Sequence, residues 1–154
     1  MRIQIATDGS EHADVAIQSF LARPWPKDSA VLVISVTGLP FPLVMPYPPL
    51  LLVDQQSMSP EALATAHAKE AQSIVDRASE TIRNAGFNVE PRVKHGDARV
   101  EIVQAALDFR SDLIILGSHG RTGLSRWVIG SVAEYVVRHA PCSVEVARVR
   151  REKE

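Results

Sequence analysis

The sequence predicts an α/β domain built on a five-stranded parallel sheet with helices on both faces. Strand-like runs alternate along the chain with segments whose apolar residues recur at helical spacing, the mark of right-handed crossover units. Two runs, Val31-Leu32-Val33-Ile34-Ser35-Val36 and Leu113-Ile114-Ile115-Leu116, are almost wholly apolar, as parallel strands covered on both faces must be. The 154 residues, 45% hydrophobic and 23% charged, suffice for one domain with a real core, assigned to residues 1–149.

A first strand is expected over residues 2–8, ending at Asp8. Ala13, Ala16, Ile17, Phe20 and Leu21 then mark a helix that Pro24-Trp25-Pro26 closes. Val31–Val36 is the second strand. Residues 39–57 form a proline-rich loop insertion, and its apolar stretch from Leu39 to Val53 carries Pro40, Pro42, Pro46, Pro48 and Pro49, which exclude a membrane helix. That loop, from Leu39 to Leu52, is expected to act as a lid or an interface, with a merely packed surface loop as the alternative. Ser59-Pro60 offers an N-cap and a proline at the first helical position. Leu63, His67, Ala71, Ile74, Ala78, Ile82 and Ala85 then lie on one stripe, closed by Gly86. Val89–Lys94 is a third strand. Asp97 caps a helix with Val100, Val103 and Leu107 facing inward. Leu113–Gly117 is a fourth strand, Ser131–Ala140 a fourth helix, and Val144–Val146 the centre of a fifth strand. Residues 150–154 are a charged, solvated tail.

The net charge of −1 argues against a nucleic-acid surface. One cysteine, Cys142, forms no internal disulfide, and Met1-Arg2 leads directly into a strand rather than a leader peptide, so a cytoplasmic protein is expected. Cys142 follows Pro141 at the entry to a strand and reads as packing.

The stretch Leu113–Ser131 carries the chemistry. A buried strand leads into Gly117, Gly120 and Gly123, then Gly130-Ser131 opens a helix. Strand, glycine-rich loop and helix N-terminus in that order suit a phosphate, because glycine lets the backbone approach and helical N–H groups point at the anion. No lysine follows Gly130, so this is not a P-loop, and Gly117-x2-Gly120 is not the dinucleotide fingerprint. His119, Arg121 and Arg126 in the loop read either as phosphate cations or as solvated charges. Trp127 either packs the loop or sits exposed. His67 reads as a core or interface histidine, and His12, His95 and His139 are dispersed without metal-ligand spacing.

The spacing Gly117-x2-Gly120-x9-Gly130-Ser131 resembles the ATP-binding motif of the universal stress protein family, in its UspA-like, ATP-binding subgroup. The likeness extends to Ala6-Thr7-Asp8-Gly9-Ser10, His95-Gly96-Asp97 and Arg138-His139-Ala140-Pro141-Cys142. It implies an adenine nucleotide alpha hydrolase-like fold with strand order 3-2-1-4-5, whose switch point lies between strands 1 and 4. It further implies an ATP site at Ala6, Thr7, Asp8, Val36, Leu116, Gly117, His119, Gly120, Arg121, Gly130, Ser131 and Val132, with Mg²⁺ arriving on the phosphates. In that site Asp8 meets the base or ribose side and Val36 the adenine edge. Local readings stand beside these: Asp8 with Glu11, and Ser131 with Glu134, each make a capping box.

No Asp or Glu lies between Gly117 and Ser131, and Asp8 is expected at the nucleoside end, so ATP turnover is expected to be slow or incidental. The expected function is an ATP-dependent stress-response module read by an unknown protein partner. The alternatives are a slow ATPase or phosphotransferase and a nucleotide-free dimeric scaffold. The resemblance also implies a homodimer through the fifth strand, with Val144 and Val146 extending a shared core. Glu145 then either protects the strand edge or meets Arg148 or Arg150 of the partner.

Overall fold

The computed structural model describes residues 1–26, 28–38, 60–120 and 129–148. The elements in chain order are β1 (Arg2–Ala6), α1 (Glu11–Leu21), β2 (Ala30–Thr37), α2 (Pro60–Asn84), β3 (Asn88–His95), α3 (Ala98–Phe109), β4 (Leu113–Gly117), α4 (Ser131–His139) and β5 (Ser143–Ala147). All neighbouring strands pair in parallel, in the order β3-β2-β1-β4-β5. The expected fold class and strand order are both observed. The Leu39–Leu52 loop, Ser59, Arg121, Arg126, Trp127 and the 150–154 tail lie outside the described residues.

The pleat divides the core in two. Ile3 and Ile5 of β1, Val31 and Val33 of β2 and Ile115 of β4 point to one face, against Ala16, Ile17 and Phe20 of α1 and Val75, Ala78 and Ile82 of α2. Leu32, Ile34, Ile114 and Leu116 point to the other, against Ile102, Ala105, Ala106 and Phe109 of α3 and Ala133 and Val136 of α4. Gln4 is fully buried at the sheet centre. Its amide donates to the Ile102 carbonyl at 2.9 Å and its oxygen accepts from Ser111, so the buried polar group is satisfied and ties β1 to α3.

Several expectations are corrected. β1 ends at Ala6 rather than Asp8: Thr7 N–H makes a last bond to the Ile34 carbonyl at 2.9 Å, and Gly9 then turns the chain at φ +75°. The cap of α1 is Ser10, whose hydroxyl accepts from Ala13 N–H, while Asp8 accepts from Ser10 N–H one step earlier. Val100 and Leu107 do not face inward; they are 50% and 51% exposed, and Val103 is half-buried. α3 has two apolar stripes, and it turns its alanine-rich one inward because small residues let the helix come close to the sheet and α4. His67 is exposed rather than in this chain's core, as are Thr65, Ala66 and Ala68, and among the described side chains burial on α2 begins at Ala71. The 25-residue helix is about 37 Å long against about 26 Å for an eight-residue strand, so its N-terminal part overhangs the sheet. Ala85 is exposed past the end of α2, and Val75 and Ser79 are buried in its place.

At the β5 edge, Val144 and Val146 pack on the α3/α4 side of this chain's own core. Glu145 is engaged within the chain: it pairs with Arg23 and accepts from the Ser19 hydroxyl at 2.7 Å, both from the α1 side. Cys142 is half-buried beside the same cluster, and burial, with the Asp112 charge added, pushes its thiol above the usual pKa.

Candidate functional site

The reversal of strand order falls between β1 and β4, and a cavity of about 370 Å³ opens at their carboxyl ends. β1 leads into it through Ala6, Thr7 and Asp8, and β2 contributes Ile34 and Val36. Ala98 and Ile102 of α3 add an aliphatic wall on the β2 side. On the β4 side stand Leu116, Gly117, Ser118, His119 and Gly120, with Ile129, Gly130, Ser131, Val132 and Ala133 lining the cavity beside them. One flank is thus apolar, suited to a flat ring. The other is largely backbone.

The backbone flank ends in a helix start unlike those of α1 and α3. Ser10 and Asp97 cap those helices with side-chain oxygens. α4 begins after Gly130, which makes no side-chain cap bond, so Ser131 is the first helical residue and not the capping-box serine. Among the described residues the first N–H groups of α4 have no side-chain acceptor, and they border the cavity. An anion there would complete the helix end.

The glycines serve this geometry in a way their spacing did not reveal. A Cβ on Gly117 would sit 2.7 Å from the carbonyl carbon and oxygen of His12, so the first turn of α1 packs directly on the end of β4. A Cβ on Gly130 would lie 3.1 Å from the Ser118 oxygen, to which Gly130 N–H itself donates at 2.8 Å. Both absences of side chain permit protein-to-protein approach. A Cβ on Gly120 would come within 2.8 Å of Asp8 Oδ2, so the carboxylate lies beside the glycine loop rather than remote from it.

Comparison with known proteins follows the same lines. Residues 1–148 match the model of the universal stress protein family. The chain belongs to that family. A universal stress protein of Staphylococcus epidermidis is 29% identical over 153 residues, covering 95% of this chain and 82% of its own length. The solved structure of the protein MJ0577 superposes with a TM-score of 0.79 at 26% identity, covering 98% of this chain and 97% of that one. A universal stress protein family protein from Arabidopsis thaliana, solved with AMP bound, has a TM-score of 0.65 at 17% identity, covering 97% and 92%.

Of the twelve residues that the family resemblance nominated, Ala6, Thr7, Asp8, Val36, Leu116, Gly117, His119, Gly120, Gly130, Ser131 and Val132 all line the one cavity. Arg121 lies outside the described residues. Sequence reasoning missed Ala13, Ile34, Ala98, Ile102, Ser118, Ile129 and Ala133. Ala98 and Ile102 were findable: they follow the Asp97 cap, and the first turn of a crossover helix sits at the carboxyl edge. His12 was missed altogether as a neighbour of the site. Its ring lies 5.1 Å from that of His119, centroid to centroid. His119 Nδ1 is held by the Ser118 hydroxyl at 3.1 Å. Among the described lining residues Asp8 is the sole carboxylate, and His119 the sole side chain able to carry positive charge.

Proposed function

We propose that this universal stress protein binds ATP in the cavity between β1 and β4 and acts as a nucleotide-dependent stress-response module rather than an efficient enzyme. The observation that carries the reading is the α4 N-terminus, uncapped by any side chain among the described residues and bordering a cavity at the switch point. The aliphatic flank of Ile34, Val36, Ala98 and Ile102 suits an adenine ring, and the AMP-bound relative supports an adenine nucleotide as the ligand class. Ala6, Thr7, Asp8, Val36 and Leu116 would hold the nucleoside side. Gly117, His119, Gly120, Arg121, Gly130, Ser131 and Val132 would hold the phosphates, with Mg²⁺ carried on them. Nucleotide would act by favouring one arrangement of the loop, which a protein partner then reads.

Slow ATP hydrolysis is the second reading, and the nearness of Asp8 Oδ2 to Gly120 favours it, since a carboxylate there can orient a water. A cytoplasmic homodimer completes the proposal. Among the described residues no helix is long and apolar enough to cross a membrane, and β5 ends the sheet with an unpaired edge open to a second copy. Light scattering at micromolar concentration is expected to give twice the 16.9 kDa chain mass; the monomer mass would remove the dimer.

The binding test is direct. One portion of protein purified without added nucleotide is denatured and the released small molecules are identified by mass spectrometry, and another portion, stripped of nucleotide, is titrated with ATP by calorimetry. Adenine nucleotide in near-stoichiometric amount, or saturable heat on titration, is the expected result. A folded protein that releases none and takes up none at millimolar ATP would leave the nucleotide-free scaffold.

A further inference from the structure

His12 and His119 meet because Gly117 has no side chain. The missing Cβ lets the α1 backbone at His12 press against the end of β4, two residues before His119. The rings that result lie 5.1 Å apart and are inclined at 43°. Each keeps one buried nitrogen without a hydrogen-bond partner among the described residues, Nδ1 of His12 and Nε2 of His119. Leaving two such atoms unpaired on neighbouring rings costs roughly 1–3 kcal/mol for each. The remaining nitrogen of His119, Nδ1, lies 3.1 Å from the Ser118 hydroxyl, and in the tautomer whose Nδ1–H donates to that oxygen Nε2 holds the lone pair that a metal ligand needs.

We propose that His12 Nδ1 and His119 Nε2 form a two-imidazole site for a divalent transition-metal ion of the zinc class, beside the cavity. The ring separation fits. A metal–nitrogen bond of about 2.05 Å places each ring centroid about 3.2 Å from the ion, and a tetrahedral angle then separates the centroids by about 5.2 Å. Nitrogen donors select zinc-class ions over Mg²⁺, which takes oxygen ligands. Among the described residues no group of three or more His, Cys, Asp or Glu is placed to hold a metal. The two imidazoles are therefore a partial set, completed by water or by an oxygen of an anion in the cavity that His119 lines. This makes the ion distinct from any magnesium carried by a nucleotide.

The test needs no nucleotide, so it stands or falls apart from the ATP reading. Chelator-treated protein is titrated by calorimetry with zinc chloride and, separately, magnesium chloride. One equivalent of zinc with micromolar affinity is expected, with no magnesium heat at the same concentrations. His12→Phe and His119→Phe keep a flat ring in each place and are each expected to weaken zinc binding at least about tenfold. Cobalt(II) supplies a second readout: visible bands of a nitrogen-bound ion in the wild type, lost in both variants. Should either variant fail to fold by circular dichroism, zinc-induced shifts of the His12 and His119 ring protons in the wild type decide instead. Absence of zinc binding, or binding unchanged in both folded variants, would overturn the site and assign any zinc to other groups such as His67 or Cys142.

Discussion

Replacing Ser131 by Glu tests where phosphate lies without disturbing the fold. Ser131 is the first residue of α4, is exposed, and borders the cavity. A carboxylate at that position complements the helix dipole and is worth about 0.3–1 kcal/mol in favour of the helix, so stability is retained or improved. Against a phosphate about 5 Å away the same charge is repulsive. Coulomb's law gives about 0.8 kcal/mol per unit charge at the dielectric of water and about 3.3 kcal/mol at an effective value near 20. Ser131→Glu should therefore weaken nucleotide binding between about 4-fold and about 250-fold. The loss should grow with the phosphate charge and be absent for adenosine. Calorimetry with adenosine, AMP and ATP reads the series directly. Repeating it near 1 M salt, where the screening length is about 3 Å, should recover much of the ATP affinity. Equal losses for adenosine and ATP would mean steric damage, and an unchanged ATP affinity in a folded variant would refute phosphate at the α4 N-terminus.

Gly117→Ala would drive a methyl group to within 2.7 Å of the His12 backbone, so a loss of about 1–3 kcal/mol is expected from urea unfolding; a neutral result would mean that α1 rides away from β4 at little cost. Glu145→Ala removes the link to Arg23 and Ser19, and since Arg23 is half-exposed the loss should stay at or below about 1 kcal/mol in the same assay. Asp97 contributes a pH dependence of known sign. Its hydrogen bond from the Arg99 side chain, reinforced by the Arg99 N–H and charge, holds the carboxyl below its ordinary 3.8 against a smaller opposing effect of burial. The folded pKa being the lower one, this stability is complete above the unfolded value and is lost as pH falls below about 3.8 through the folded value. Asp97→Asn keeps a cap and removes the titration, so its urea midpoint should fall less steeply than the wild type's between pH 5 and 3; parallel curves would contradict the assignment.

The strands were the most legible part of the chain, while their order was implied by the family resemblance and not by the strand runs themselves. Runs such as Val31–Val36 admit no other reading than a strand covered on both faces, and the glycine and Asp97 signals locate the helix ends. The errors concern which face of a helix turns inward. In α3 both Val100/Val103/Leu107 and Ile102/Ala105/Ala106/Phe109 repeat at helical spacing, and hydrophobicity alone favours the bulkier set. Close approach to the sheet and α4 favours the smaller one, and no local pattern encodes the distance between elements. His67 went astray for a related reason: a helical stripe says which side faces the sheet but not where the sheet stops.

The site was legible because one spacing fixes several contacts at once, though for reasons different from those the sequence first suggests. Glycines at 117 and 130 read as room for phosphate. Their own hydrogens instead face His12 backbone and the Ser118 carbonyl, so the first consequence of the motif is close packing of the β4 end on α1 and of the α4 start on Ser118. Gly130, which has no side chain to offer, is the N-cap there, and among the described residues the first N–H groups of α4 border the cavity without a side-chain acceptor. A serine, threonine or aspartate at 130 would satisfy those groups internally and compete with an anion for them. On the proposed reading the motif would prepare an anion site in two steps, by drawing the helix start against the strand end and by withholding its cap. The first step also brings His12 to His119, a juxtaposition between residues 107 positions apart that neither residue's neighbours foretell.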